Sequence, residues 1–261
     1  MLMDRFRLDG KVAIVTGAGR GIGEGCALAF AEVGANVVCA ARTQEQIDDT
    51  AEKVRGFGGD GLAVACDVSQ RDQLENLVAR TIEHFGRIDI LVNNAGGTPP
   101  KPALRTGEEM FNKAFQFNVT TAFLMTRLVV PHMLEKDGGS VVNISSAAGR
   151  LAQPGFAAYG TAKAALSSLS RLLASEFAPR VRVNAIAVGS IETTALTPFL
   201  DEDTRHQMEE LTPMKSLGQV EDIALGVLYL ASPASRWVTG KIFEIDGGIE
   251  ATNWPFDFPP V

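Results

Sequence analysis

Short runs of β-branched and other apolar residues alternate along this chain with longer stretches in which apolar positions recur every three to four residues. The apolar runs fall at 11–16, 36–40, 61–65, 89–92, 140–144, 181–187 and 241–245, and the amphipathic stretches at 24–33, 45–55, 70–85, 108–135, 157–177 and 220–231. A short, nearly continuous apolar run suits a strand buried on both faces, and a period of three to four suits a helix with one buried stripe. Strict alternation of the two predicts parallel strands joined by right-handed helical crossovers. The expected fold class is therefore α/β: one doubly wound domain over residues 1–261, with a seven-stranded parallel sheet and helices on both faces. No Pro/Gly/Ser-rich stretch, repeat or shift of composition divides the chain.

Composition narrows the partners. The 261 residues are 46% hydrophobic, enough for a large core, and carry a net charge of −7 without a basic cluster. That balance speaks against nucleic acid or an anionic membrane and for a small-molecule substrate. Residues 1–10 hold two arginines and two aspartates without an apolar core, unlike a secretory signal, and the longest apolar run, 223–231, is too short to span a bilayer. A cytoplasmic protein is expected. Cys26, Cys39 and Cys66 lie on expected core elements and read as reduced thiols. The histidines, His84, His132 and His206, are scattered, and no metal site is expected.

The first strand runs into Gly17-Ala18-Gly19-Arg20-Gly21-Ile22-Gly23 and then a helical pattern. Strand, glycine turn and helix together present bare backbone N–H groups and a positive helix end, a site suited to pyrophosphate. The spacing is Thr-Gly-x-x-x-Gly-x-Gly. Glycines at first, third and sixth positions would require one at Ile22, Glu24 or Cys26. Farther along, Tyr159 and Lys163 stand four residues apart, on one face of a helix. A phenol titrates near pH ~10 unless a cation favours its anion, and Lys163 is placed to do that. Ser146 follows an apolar strand, so its hydroxyl is expected at the strand's carboxyl end, where open α/β sheets bind ligands.

Thr16 to Gly23, Asp67, Asn93-Asn94-Ala95-Gly96, Asn118, Ser146 and Tyr159-x-x-x-Lys163 occur in the order found in the short-chain dehydrogenase/reductase family. The chain resembles that family over almost its full length, and the resemblance implies a Rossmann-type domain acting on CH–OH groups with NAD(P). It implies Tyr159 as acid/base, Ser146 holding the substrate oxygen, Lys163 on the nicotinamide ribose and Asn118 in a proton relay. For the cofactor it implies Gly17, Arg20, Gly21, Ile22 and Gly23 at the phosphates, Asp67 and the Val68 backbone at adenine, Asn94 at ribose, and Ile191 and Thr193 at the carboxamide, beside Tyr159 and Lys163. The second strand ends in Ala41 rather than the acidic residue that accepts ribose hydroxyls, and Arg42 and Arg20 can converge on a 2′-phosphate. NADP(H) is the preferred cofactor, with NAD(H) possible. Val188-Gly189 replaces the family's usual Pro-Gly, which removes a fixed φ.

Substrate identity is less legible. Residues 190–215 occupy the segment that family members use as a lid. The runs 94–102, 211–214 and 217–219 resemble bacterial 7α-hydroxysteroid dehydrogenases. The tail at 250–261 carries Trp254, Phe256 and Phe258 among prolines and is expected to pack at a subunit boundary or a substrate mouth. The favoured reading is an oxidoreductase acting on an apolar, ring-containing ketone or secondary alcohol. A 3-oxoacyl-carrier-protein reductase and a catalytically silent dinucleotide sensor are the alternatives. Family habit implies a homodimer or homotetramer.

Overall fold

The computed structural model describes residues 1–194, 196–197 and 200–255. Seven strands form one parallel sheet in the order β3-β2-β1-β4-β5-β6-β7. They are β1 (Val12–Thr16), β2 (Asn36–Ala41), β3 (Gly61–Ala65), β4 (Ile90–Asn93), β5 (Gly139–Ser146), β6 (Val181–Val188) and β7 (Ile242–Ile245). The helices are α1 (Gly21–Glu32), α2 (Gln44–Gly56), α3 (Arg71–Phe85), α4 (Glu108–Phe115), α5 (Thr121–Leu134), α6 (Ala157–Phe177), α7 (Glu202–Leu211) and α8 (Val220–Ala231). The chain moves outward from β1 through β2 to β3 and then returns to place β4 on the other side of β1. That reversal opens a crevice at the carboxyl ends of the strands.

Side chains alternate across the sheet, and each face has its own apolar layer. Ala13 and Val15 of β1 pack with Phe30 of α1, Ile47 and Val54 of α2, and Ile223 and Val227 of α8. Val12 and Ile14 turn the other way, to Leu74 and Leu77 of α3, Met125 and Val129 of α5, and Leu173 of α6. Cys26, Cys39 and Cys66 are buried free thiols, and burial raises them to about 12, 12 and 11. At the amino-terminal edge, Asp89 fastens the sheet by accepting from the Val12 amide at 3.0 Å, Lys11 at 3.1 Å and both arms of Arg87 at 2.6 and 2.8 Å. No described helix is long and apolar enough to cross a membrane.

Three elements depart from the sequence reading. The first helix starts at Gly21 rather than 24, because the glycine turn feeds into it directly. The long helix expected over 108–135 is broken by a π turn, Gln116–Thr120, between α4 and α5. Helix α7 was not anticipated within 190–215: among the described residues its one buried residue, Met208, packs in a small cluster with Leu196, Leu217, Leu200 and Trp254, and a single buried position leaves no apolar stripe in the sequence.

Candidate active site

The crevice is built on the glycine turn. Gly17 and Gly21 have φ of +67° and +58°, a region that side chains disfavour, and a Cβ on Gly23 would collide with the Gly17 carbonyl. The turn is pinned from β4. Thr16 Oγ1 accepts the Asn94 and Ala95 amides at 3.0 and 3.1 Å, and Asn94 Nδ2 donates to the carbonyls of Thr16 (2.9 Å) and Gly17 (3.2 Å). The Asn94 amide nitrogen is thus engaged by the turn itself. Because α1 begins at Gly21, its unpaired first-turn N–H groups and positive dipole end lie at this point.

From the turn, a cleft of about 600 Å³ runs along the strand ends. Its wall contains Gly17, Arg20, Gly21, Ile22, Arg42, Asp67, Val68, Asn94, Ser146, Tyr159, Lys163, Ile191 and Thr193. Gly23 and Asn118, the remaining residues singled out by sequence, are not among the residues that line it. Arg20 and Arg42 are exposed, and neither makes a side-chain hydrogen bond or ion pair among the described residues. Asp67 is held below its ordinary value by the Ser69 hydroxyl and amide, with Arg42 adding to the effect. The donor set fits a dinucleotide: bare backbone and a helix end for a pyrophosphate, two exposed guanidiniums, Arg20 ahead of α1 and Arg42 after β2, and acid/base side chains at the far end.

The far end is assembled by β5 and α6. Ser146 is the last residue of β5, and Tyr159 and Lys163 stand in the first turns of α6. Lys163 is 4% exposed, donates to the Ile144 carbonyl at 2.7 Å, and has its nitrogen 5.6 Å from the centre of the Tyr159 ring. Burial lowers the Lys163 ammonium to about 8. Burial also raises the Tyr159 phenol, with the Ser146 hydroxyl pulling it the other way. The balance therefore runs against the expected depression of Tyr159 by Lys163: the ammonium is turned to a backbone carbonyl, and desolvation of both groups outweighs their attraction.

Asn118 sits in the π turn and is 2% exposed. Its Nδ2 donates to Ala114 O (2.8 Å), one turn back, and to Gly97 O (3.2 Å), while its Oδ1 accepts the Gly97 amide (2.8 Å). Gly96 is wedged between: a Cβ there would lie 2.8 Å from Asn118 Oδ1 and 3.0 Å from Lys163 Nζ. Val188 keeps its register in β6, opposite Ile245, and Gly189 donates to Ile245 O at 3.0 Å, so strand pairing supplies order where the proline is missing.

Several wall residues were not read from the sequence. Phe156 stacks edge-on with Tyr159 at 6.0 Å and with Trp254 at 5.4 Å between ring centres. That brings the start of the tail to the substrate end of the cleft. Residues 256–261 lie outside the described residues. Asn253 is buried, donates to Thr212 Oγ1 at 3.0 Å and accepts from Ser190 at 3.0 Å, joining tail, α7 and the loop after β6. Its partners are more than 40 residues away, and no local pattern announces them. Arg150 likewise binds the distant Glu244, Asp246 and Glu250.

A doubly wound sheet with this turn and this Ser-Tyr-Lys end defines a dinucleotide-dependent oxidoreductase. The family profile described as enoyl-(acyl carrier protein) reductase matches residues 17–250. An uncharacterized oxidoreductase of Mycobacterium tuberculosis is 49% identical over 261 residues, covering 99% of both chains. The 7α-hydroxysteroid dehydrogenase of Escherichia coli is 39% identical over 246 residues, 94% of this chain and 96% of that one. A 3-oxoacyl-[acyl-carrier-protein] reductase of Thermotoga maritima is 38% identical over 245 residues, 94% of this chain and 99% of the other. Among solved structures, a 7α-hydroxysteroid dehydrogenase complexed with NADH and 7-oxo glycochenodeoxycholic acid superposes with a TM-score of 0.91 at 38% identity, covering 94% of this chain and 96% of its own. The chain belongs to the short-chain dehydrogenase/reductase family.

Proposed function

We propose that this protein is an NADP(H)-dependent oxidoreductase interconverting a ketone and a secondary alcohol on an apolar, ring-containing substrate. The observation that carries the reading is the meeting of Ser146, Tyr159 and buried Lys163 at one end of the cleft, beside a wall of Leu151, Phe156, Leu196 and Trp254. When bound, the nicotinamide supplies or takes up the hydride. Ser146 donates to the substrate oxygen, Tyr159 moves the proton to or from that oxygen, and Lys163 holds the phenol's environment positive and binds ribose. Asn118 orders the Gly97 loop behind Lys163. Arg20 and Arg42 receive a 2′-phosphate, and Asp67, Val68, Ile191 and Thr193 hold the adenine and carboxamide ends. Residues 190–215 close over the substrate. The protein works in the cytoplasm as a homodimer or homotetramer, in which a second copy covers Phe111, Phe115 and Phe123 on α4 and α5 and Leu172 on α6, all exposed in the single chain.

The absence of a carboxylate at Ala41 and two exposed guanidiniums without a hydrogen bond or ion pair among the described residues support the cofactor choice. Titration of the purified protein with NADPH and NADH, followed by nicotinamide fluorescence, tests it. NADPH is expected to bind at least about tenfold more tightly, a difference that Arg42→Ala removes. Equal binding, or tighter NADH binding, would overturn the NADP(H) assignment.

A further inference from the structure

Gln153 Nε2 is the one buried side-chain nitrogen or oxygen without a hydrogen-bond partner among the described residues. The other buried amides are satisfied: Asn93 on Asn143, Asn143 on Ser170, Asn118 on Ala114, Asn184 on Val238 and Asn253 on Thr212. The exception lies in the cleft wall, on the segment between Ser146 and Tyr159, among Leu151, Phe156, Leu196 and Trp254. Gln153 itself is half-buried, but a side-chain nitrogen closed off from water without a partner is costly, and in a residue that lines a ligand cleft the ligand is the group that brings the partner.

The charges nearby define what that partner is. Arg20 and Arg42 lie at the opposite, dinucleotide end, and Arg150, the cation adjoining Leu151, is committed to Glu244, Asp246 and Glu250. Among the described residues that line the cleft, the remaining cation is Lys163, which is held on the Ile144 carbonyl beneath Tyr159. A primary amide both donates and accepts, and a hydroxyl is the neutral group that matches both. We propose that Gln153 is a specificity-determining residue whose amide hydrogen-bonds a neutral hydroxyl carried by the substrate away from its reacting carbon, on an otherwise apolar body. The assignment rests on the ketone/alcohol reading above and narrows its substrate class to hydroxylated apolar ring ketones and the corresponding diols.

The test compares a bicyclic ketone, decalone, with its counterparts carrying one hydroxyl at each position of the far ring, using the wild-type protein and Gln153→Met, which keeps length and removes both polar atoms. The wild type is expected to prefer at least one hydroxylated ketone by about tenfold in kcat/KM, and the variant to lose that preference while turning over the parent ketone as before. Because the Gln153 side chain makes no hydrogen bond among the described residues, the variant's Tm without substrate should be equal or higher. A variant that keeps the wild-type ratios, or a wild type that favours no hydroxylated ketone, overturns the role of Gln153 alone. Failure of the wild type to turn over any of these ketones while it binds NADPH would instead overturn the ring-ketone reading, and this assignment with it.

Discussion

At Tyr159, burial and hydrogen bonding act in opposite senses, and burial prevails. The phenol therefore keeps its proton through neutral pH, the state needed to deliver a proton during ketone reduction. Proton delivery leaves a phenolate that Lys163 stabilises only while protonated, below about 8. Reduction kcat/KM is thus expected to fall as pH rises through about 8, whereas alcohol oxidation, which needs the phenolate, rises with pH. Paired pH–rate profiles check this, and parallel profiles in the two directions would refute it. Tyr159→Phe should lower turnover by about 10²–10⁴-fold while leaving dinucleotide affinity unchanged, measured by kinetics beside the fluorescence titration. The motif spacing brought these side chains into view, but the state of their protons depends on how deeply α6 packs, which spacing does not encode.

Among the elements, α7 is fastened by two unlike ties. Arg205 bridges to Glu192, which also accepts from Gln219 at 3.0 Å, and Thr212, following α7, is linked through Asn253 to Ser190. Glu192 stands between Ile191 and Thr193, so the ties couple the proposed lid to the cofactor loop. Asn253→Ala leaves the Thr212 and Ser190 hydroxyls without this partner. It should cost about 1–3 kcal/mol in denaturant unfolding and raise the ketone KM severalfold; an unchanged KM would detach the tail from the lid. The broken long helix shows why this level was only partly legible. The apolar period of 108–135 runs on across the break, and it is the bonding of Asn118 to Ala114 and to the Gly97 loop that accompanies the π turn.

For the molecule as a whole, Asp89 at the amino-terminal ends of the central strands is expected to contribute acid sensitivity. Burial alone would raise Asp89, but Arg87, the Val12 amide and Lys11 together hold it below its ordinary value of 3.8. A depressed carboxylate contributes stability that is present above 3.8 and lost as pH falls through its lower native value. Asp89→Ala should therefore destabilise the protein by about 3 kcal/mol at neutral pH, and the difference from wild type should shrink in acid melts below that range. A difference independent of pH would place the loss in packing instead.

The sequence by itself determined the alternation of seven strands with helices, the glycine turn after β1, the Ser146, Tyr159 and Lys163 set, and the open position at Ala41. Each is written in local spacing or in residue type. Tertiary structure decided what local spacing cannot carry. It interrupted the long helix at Asn118, built α7 on a small cluster, tied the Lys163 ammonium to Ile144 while keeping it 5.6 Å from the Tyr159 ring centre, and left Gln153 Nε2 without a partner among the described residues. These outcomes depend on contacts between residues far apart in the chain, where burial and hydrogen-bond partners are set by the packing of whole elements.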